Sequence, residues 1–116
     1  MVQIETIHQW NPFKNDSYHV MIDNSLLQLE RHTGRALRDF GAARRKGVKV
    51  SVDNGDVFGE LFFMPEITQP CTVLREFVRK AVSWSKDIAR AIVACRCETP
   101  VEIYKIKSRA SLQFFV

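Results

Sequence analysis

The residues NSLLQLERHTGRALRDFGAARRK, from Asn24 to Lys46, combine an apolar stripe with a basic one. Placed on a helix at about 100° per residue, one face carries Leu26, Leu29, Thr33, Leu37 and Phe40. The opposite face carries Arg31, Arg35, Arg38 and Arg45. The stretch holds six basic and two acidic residues, and the resulting charge of +4 equals the net charge of the whole chain. We therefore expect an amphipathic helix with a basic outer side.

The ends of this helix are less sharply defined than its faces. Three successive polar residues, Asp23–Ser25, are candidate N-caps, and we place the helix at Ser25–Phe40. Gly34 costs about 1 kcal/mol relative to alanine inside a helix, so a break at His32–Gly34 is an alternative. The basic residues that follow, up to Lys46, continue either as helix or as loop.

Runs rich in β-branched and aromatic residues lie on both sides of the basic stretch. Val2–His8 and Tyr18–Ile22 are predicted strands before it, and Val48–Val52 and Val57–Met64 are predicted strands after it. Asn54-Gly55 between the last two runs is a strong signal for a tight β-hairpin. The chain is therefore expected to form two antiparallel strands directly after the first helix.

A second amphipathic pattern covers Thr72–Cys95 and predicts a second helix. Its apolar stripe contains Leu74, Phe77, Val78, Ala81, Trp84, Ile88, Ile92 and Cys95. Pro100 ends the pattern. Val101–Lys107 and Ser111–Val116 then pair as a predicted closing hairpin.

The predicted order is β-β-α-β-β-α-β-β, in which strand pairs alternate with helices. Such an order is typical of an α+β fold with one antiparallel sheet and both helices on one of its faces. Within it, residues 18–107 follow the β-α-β-β-α-β order of ferredoxin-like, split βαβ folds. We expect this core with extra N-terminal and C-terminal strands, in a single domain that spans residues 1–116.

Composition and cysteine content suggest an intracellular protein. The N-terminal residues do not show the basic and apolar regions of a signal peptide, and no apolar run approaches the ~20 residues of a membrane span. Three cysteines, an odd and small number, are read as reduced thiols. We therefore expect a cytoplasmic protein that does not contact a membrane.

The search for a catalytic or metal-binding pattern gives no specific site. Cys95-x-Cys97 lacks the second ligand pair that a zinc site needs, and the acids Asp53, Asp56 and Glu60 lie near a hairpin turn, where acids are usual. A cysteine–histidine dyad that uses Cys71 stays open, without a residue pattern that favours it. We expect no cofactor and no metal, and an enzyme is the less favoured interpretation.

Charge placement is the remaining signal, because both predicted helices are basic and the hairpin between them is acidic. The leading hypothesis is a small binding protein that contacts the backbone of DNA or RNA with little sequence specificity. Its expected contact residues are Arg31, Arg35, Arg38, Arg44, Arg45, Lys46, Arg79 and Lys86. The alternative is a protein-interaction or inhibitor module that binds an acidic protein surface or forms a homodimer, since basic helix faces are often simply solvated. The apolar C-terminal run, Leu112–Val116, supports the homodimer if it forms an edge strand, because an exposed edge strand needs a partner. The alternative is a central strand that is buried on both faces.

Overall fold

The computed structural model describes residues 1–52, 55–64, 69–96 and 98–105, with the side chain of Lys46 left aside. Its strands are β1 (Val2–Gln9), β2 (Ala43–Val52), β3 (Gly55–Phe63), β4 (Ile88–Val93) and β5 (Val101–Tyr104). Its helices are α1 (Asn15–Thr33) and α2 (Cys71–Trp84), with a short 3-10 helix at Leu37–Phe40.

The described strands form one antiparallel sheet in the order β2-β3-β1-β4-β5. Alternate residues of β1, Val2 and Ile4, are buried in one apolar core with Ile22 and Leu29 of α1 and with residues of α2. The predicted α+β class, with two helices against one antiparallel sheet, is therefore confirmed. The position of β1 between β3 and β4 does not conflict with the predicted split βαβ core.

The first helix begins ten residues earlier than predicted. Asn15 opens α1, so the predicted strand Tyr18–Ile22 is wrong and the predicted N-caps lie inside the helix. The helix ends at Thr33 because Gly34 adopts a left-handed conformation with φ of 75°, and its N–H donates to the Glu30 carbonyl at 2.7 Å. This left-handed cap is a common helix terminator, and glycine adopts it without steric cost. The alternative break at Gly34 is thus correct, and the predicted helix to Phe40 is not.

The second helix is shorter than predicted because the last part of its apolar pattern lies on a strand and in the residues after it. α2 ends at Trp84, and Ile88–Val93 forms β4 beside β1. The side chain of Lys105 closes the helix by donating to the carbonyls of Val82 at 2.9 Å and Ile88 at 2.8 Å, and also to that of Ser85. A cation at a helix C-terminus compensates the unpaired carbonyls there.

A disulfide joins Cys71, the first residue of α2, to Cys95, which follows β4. Their Cα atoms are 6.5 Å apart. On an unbroken helix, 24 residues would separate them by about 36 Å, so the bond depends on the turn from α2 into β4. The expectation that these cysteines are reduced thiols is wrong.

The hairpin predicted around Asn54-Gly55 is confirmed in its strands, which pair from Ala43 with Phe63 to Val52 with Gly55. Asp53, Asn54 and the predicted strand Ser111–Val116 lie outside the described residues. Val101–Tyr104 matches the described part of the predicted strand Val101–Lys107.

Candidate functional site

The seven predicted contact residues whose side chains the structure describes do not form one surface. Arg31 lies in the last turn of α1, Arg35 lies beyond its end, and Arg38 lies on the 3-10 helix. Arg44 and Arg45 lie on β2, where successive side chains point to opposite faces. The helical spacing that aligned these arginines in the sequence therefore does not exist in the fold.

Two of the predicted residues are neutralised by carboxylates close to them. Arg38 forms a bidentate pair with Glu30, with Nη1 3.2 Å from Oε2. Arg79 pairs with Glu76 one turn away on α2 at 2.6 Å. These exposed pairs reduce the positive field that the prediction assigned to both helices.

Arg44 belongs to a polar cluster between α1 and the sheet. Its Nε lies 2.8 Å from Oε2 of Glu60, its Nη1 contacts Asp23, and its guanidinium lies over the Phe62 ring at 4.9 Å. His19 of α1 bridges the two carboxylates, with Nδ1 2.6 Å from Glu60 and Nε2 3.0 Å from Asp23. This cluster, which we call the Glu60 cluster, ties α1 to β2 and β3.

The Glu60 carboxylate is fully buried, and its environment explains its electrostatics. Burial raises the pKa of Glu60 above its ordinary value, while His19 and Arg44 oppose that shift. Although a histidine and a glutamate in contact resemble an acid–base pair, both Glu60 oxygens lie against side chains of the protein. The geometry supports a structural role for the Glu60 cluster.

Four of the other predicted residues are exposed, and the side chain of Lys46 lies outside the description. Arg31, Arg35, Arg45 and Lys86 have no ion-pair partner among the residues that the structure describes. Arg45 lies on the sheet face away from the helices, because its neighbour Arg44 points toward α1. Arg35 lies between the two helices, where it lines a groove.

That groove, which we call the inter-helix groove, runs between the C-terminal end of α1 and the outer side of α2. It consists of two adjoining depressions of about 370 and 490 Å³ that share Thr33, Arg35 and Lys80. The first depression is also lined by Thr72, Val73, Glu76 and Phe77. The second is also lined by Leu29, His32, Ser83 and Trp84. Volumes in this range accommodate small ligands or several side chains of a partner.

The groove combines apolar, aromatic and cationic groups. Leu29 and Phe77 are buried core residues at its base. At one end Trp84, half exposed, stacks on His32 with ring centroids 4.7 Å apart. Between the ends, Arg35 and Lys80 are exposed and lack ion-pair partners within the described part of the chain. Such a surface suits a ligand that carries negative charge beside an apolar or aromatic group.

Sequence reasoning found Arg35 but missed Lys80, His32 and Trp84 as its neighbours. Trp84 matched the apolar stripe of the second helix and was assigned to the core, although it is 50% exposed. His32 and Trp84 are far apart in the chain, and only the packing of α1 on α2 brings them together. A single sequence contains no signal for that crossing.

Residues 1–102 match the protein family described as secreted clade V proteins. This chain belongs to that family. No curated protein and no solved structure matches the chain. Among the described residues, no helix combines the length and apolar character needed to cross a membrane.

Membership of a secreted family corrects two of the expectations from sequence. Together with the Cys71–Cys95 disulfide, it fits an oxidising, extracellular location. The cytoplasmic location is therefore wrong, and so is the leading hypothesis of a DNA-binding or RNA-binding protein. The odd cysteine count was the misleading observation, because two of the three cysteines form a disulfide. An acidic protein partner and a homodimer stay predictions.

Proposed function

We propose that this secreted protein binds an acidic segment of a partner protein in the inter-helix groove. The observation that carries the proposal is the placement of Arg35 and Lys80, which line both depressions of the groove and have no ion-pair partner among the described residues. Cations without internal partners are free to pair with carboxylates of a ligand, and the apolar base of the groove would shield such pairs from water.

Trp84 gives the groove a second means of recognition. Tryptophan and arginine are enriched among the residues that dominate binding energy at protein interfaces. The half-exposed Trp84 ring stacks on His32 and offers an apolar surface against which a partner side chain can pack. We therefore expect the bound segment to place an aromatic or aliphatic residue near Trp84 and carboxylates near Arg35 and Lys80.

The polarity of the groove also favours one orientation of the segment. Glu76 lines the depression at the end away from Trp84. Because Glu76 is paired with Arg79, this end adds no net positive charge, and acidic residues of the ligand should lie nearer to the end that carries Trp84. Two adjoining depressions, two cations and one apolar anchor fit a peptide segment better than a single small molecule.

Selection from a displayed library of random peptides tests the proposal. The immobilised full-length protein should enrich peptides in which acidic residues flank an aromatic or aliphatic one. A parallel selection on the Arg35→Glu/Lys80→Glu variant should lose them. The proposal is wrong if enriched peptides lack acidic residues, or if the same peptides are recovered from the variant.

A further inference from the structure

The two sulfur atoms of the disulfide lie in different electrostatic environments. Cys71 is the first residue of α2, a helix of 14 residues, and its Sγ accepts a hydrogen bond from Nη1 of Arg75 at 3.3 Å. Cys95 follows the end of β4, and within the described residues its sulfur has no hydrogen bond from a cationic side chain. Arg75 therefore favours negative charge on the sulfur of Cys71 more than on that of Cys95.

This asymmetry matters for exchange with a thiol. A disulfide is opened by a thiolate that attacks one sulfur while the other leaves as a thiolate, and a better stabilised leaving thiolate departs faster. A cysteine thiolate is stabilised at a helix N-terminus and beside an arginine. Both features occur at Cys71, so attack on Cys95 with departure of Cys71 is the favoured direction.

The carboxylate of Glu98 also affects the charge at this disulfide. Its Oε2 lies 3.3 Å from Nη1 of Arg75, and its carboxylate lies within 4.8 Å of both sulfur atoms. The carboxylate shares the guanidinium with Cys71 and opposes a second negative charge close to it. Glu98 should therefore restrain the departure of Cys71.

We propose that the Cys71–Cys95 disulfide is a thiol–disulfide exchange site for cysteine thiols, with Cys71 as the leaving group. The external thiol loses its proton to solvent, and its thiolate forms a bond to Sγ of Cys95. The Cys71–Cys95 bond breaks, and its electron pair stays on Sγ of Cys71, which Arg75 stabilises. The products are a mixed disulfide on Cys95 and a Cys71 thiolate, with no net change in redox state. This activity is independent of the inter-helix groove.

Reduced glutathione is a suitable probe, used on the full-length protein with Cys97→Ser so that the third cysteine does not compete. After acid quenching and alkylation, tandem mass spectrometry should locate glutathione on Cys95 and the alkyl group on Cys71. Formation of this adduct should slow about fivefold in Arg75→Gln and accelerate severalfold in Glu98→Gln. Arg79→Gln, one turn further along α2 and paired with Glu76, serves as the matched control and should not change the rate.

Three results would overturn the proposal: glutathione on Cys71, an unchanged rate in Arg75→Gln, or no adduct under native conditions. Circular dichroism before the reaction establishes that each variant is folded. If Arg75→Gln fails to fold, the position of glutathione in the protein that retains Arg75 and the rate in Glu98→Gln decide the question.

Discussion

Arg44 and Arg45 are neighbours in the sequence, but their side chains lie on opposite faces of the sheet because successive side chains of a β-strand alternate. Arg44 contacts Asp23, Glu60 and the Phe62 ring under α1. Arg45 is exposed on the opposite sheet face. A reading of the sequence as a basic run treats both as equivalent surface charges. Only the register of β2 separates them, and that register follows from pairing with β3.

Replacement of Arg44 by alanine should destabilise the protein strongly. Removal of one partner of a buried ion pair leaves an uncompensated charge, here on Glu60, at a cost of about 3–5 kcal/mol in unfolding free energy. Urea unfolding measures this loss. Arg45→Ala is the matched control, with an expected change within about 0.5 kcal/mol. Similar losses in both variants would contradict the assigned role of the Glu60 cluster.

The buried carboxyl of Glu60 should also leave a signature in the pH dependence of stability. Burial raises the pKa of Glu60 above the ordinary value of 4.5, so the folded state retains this proton to higher pH than the unfolded chain does. Its contribution to stability is complete below about pH 4.5 and is lost as pH rises through the folded pKa.

Unfolding of the native protein and of Glu60→Gln at several pH values tests this sign. The native protein should lose stability relative to the variant over the pH interval above about 4.5, because the pKa of Glu60 is raised in the folded state. Glu76→Gln, which removes an exposed carboxylate of α2, controls for the loss of a surface charge. A relative gain in stability over the same interval would show that His19 and Arg44 outweigh burial.

At the scale of elements, local patterns predicted β1 and β3 well. They predicted β2 and the two helices only in part, because β2 begins at Ala43, where a continuation as helix or loop was expected. The sequence from Tyr18 to Ile22 resembles a strand because it is rich in apolar and β-branched residues, yet it lies inside α1. This helix exposes Val20 and Leu27 and buries Ile22 and Leu29, so its apolar face is irregular. Ile88, Ile92 and Cys95 continue the spacing of α2 by coincidence, and pairing with β1 overrides that pattern.

Gly34 offers a direct test of why α1 ends where it does. A Cβ added at this position meets no atom within 4 Å, so Gly34→Ala has room but retains a φ of 75°. The variant should lose about 1 kcal/mol of unfolding free energy through backbone conformation alone. Thermal unfolding with calorimetric detection measures it. A variant as stable as the native protein, with increased helix content by circular dichroism, would show that the helix can continue toward Phe40.

At the scale of the whole molecule, the disulfide links the start of α2 to the end of β4 beyond the helix–strand turn. Both cysteines are visible in the sequence, but their pairing could not be predicted without knowing that the chain turns after Trp84. The fold class was predictable because it depends on the order of elements. The inter-helix groove was not, because it depends on how α1 crosses α2.

The Cys71→Ser/Cys95→Ser variant should be less stable by about 3–4 kcal/mol, the value that chain entropy gives for a loop of this length. Thermal unfolding of the variant and of the native protein, with and without a reducing agent, tests this expectation. The reduced native protein should resemble the variant. Equal melting temperatures under all conditions would show that the bond contributes no stability.

The measurement that most directly tests the proposed function is the affinity of an enriched acidic peptide for three forms of the protein. Isothermal titration should give binding to the native protein that weakens about tenfold or more in Lys80→Glu, because a favourable charge pair becomes repulsive. Binding to Arg45→Glu, with the same change in net charge on the opposite sheet face, should stay unchanged. Equal weakening in both variants, or none in Lys80→Glu, would contradict binding in the inter-helix groove.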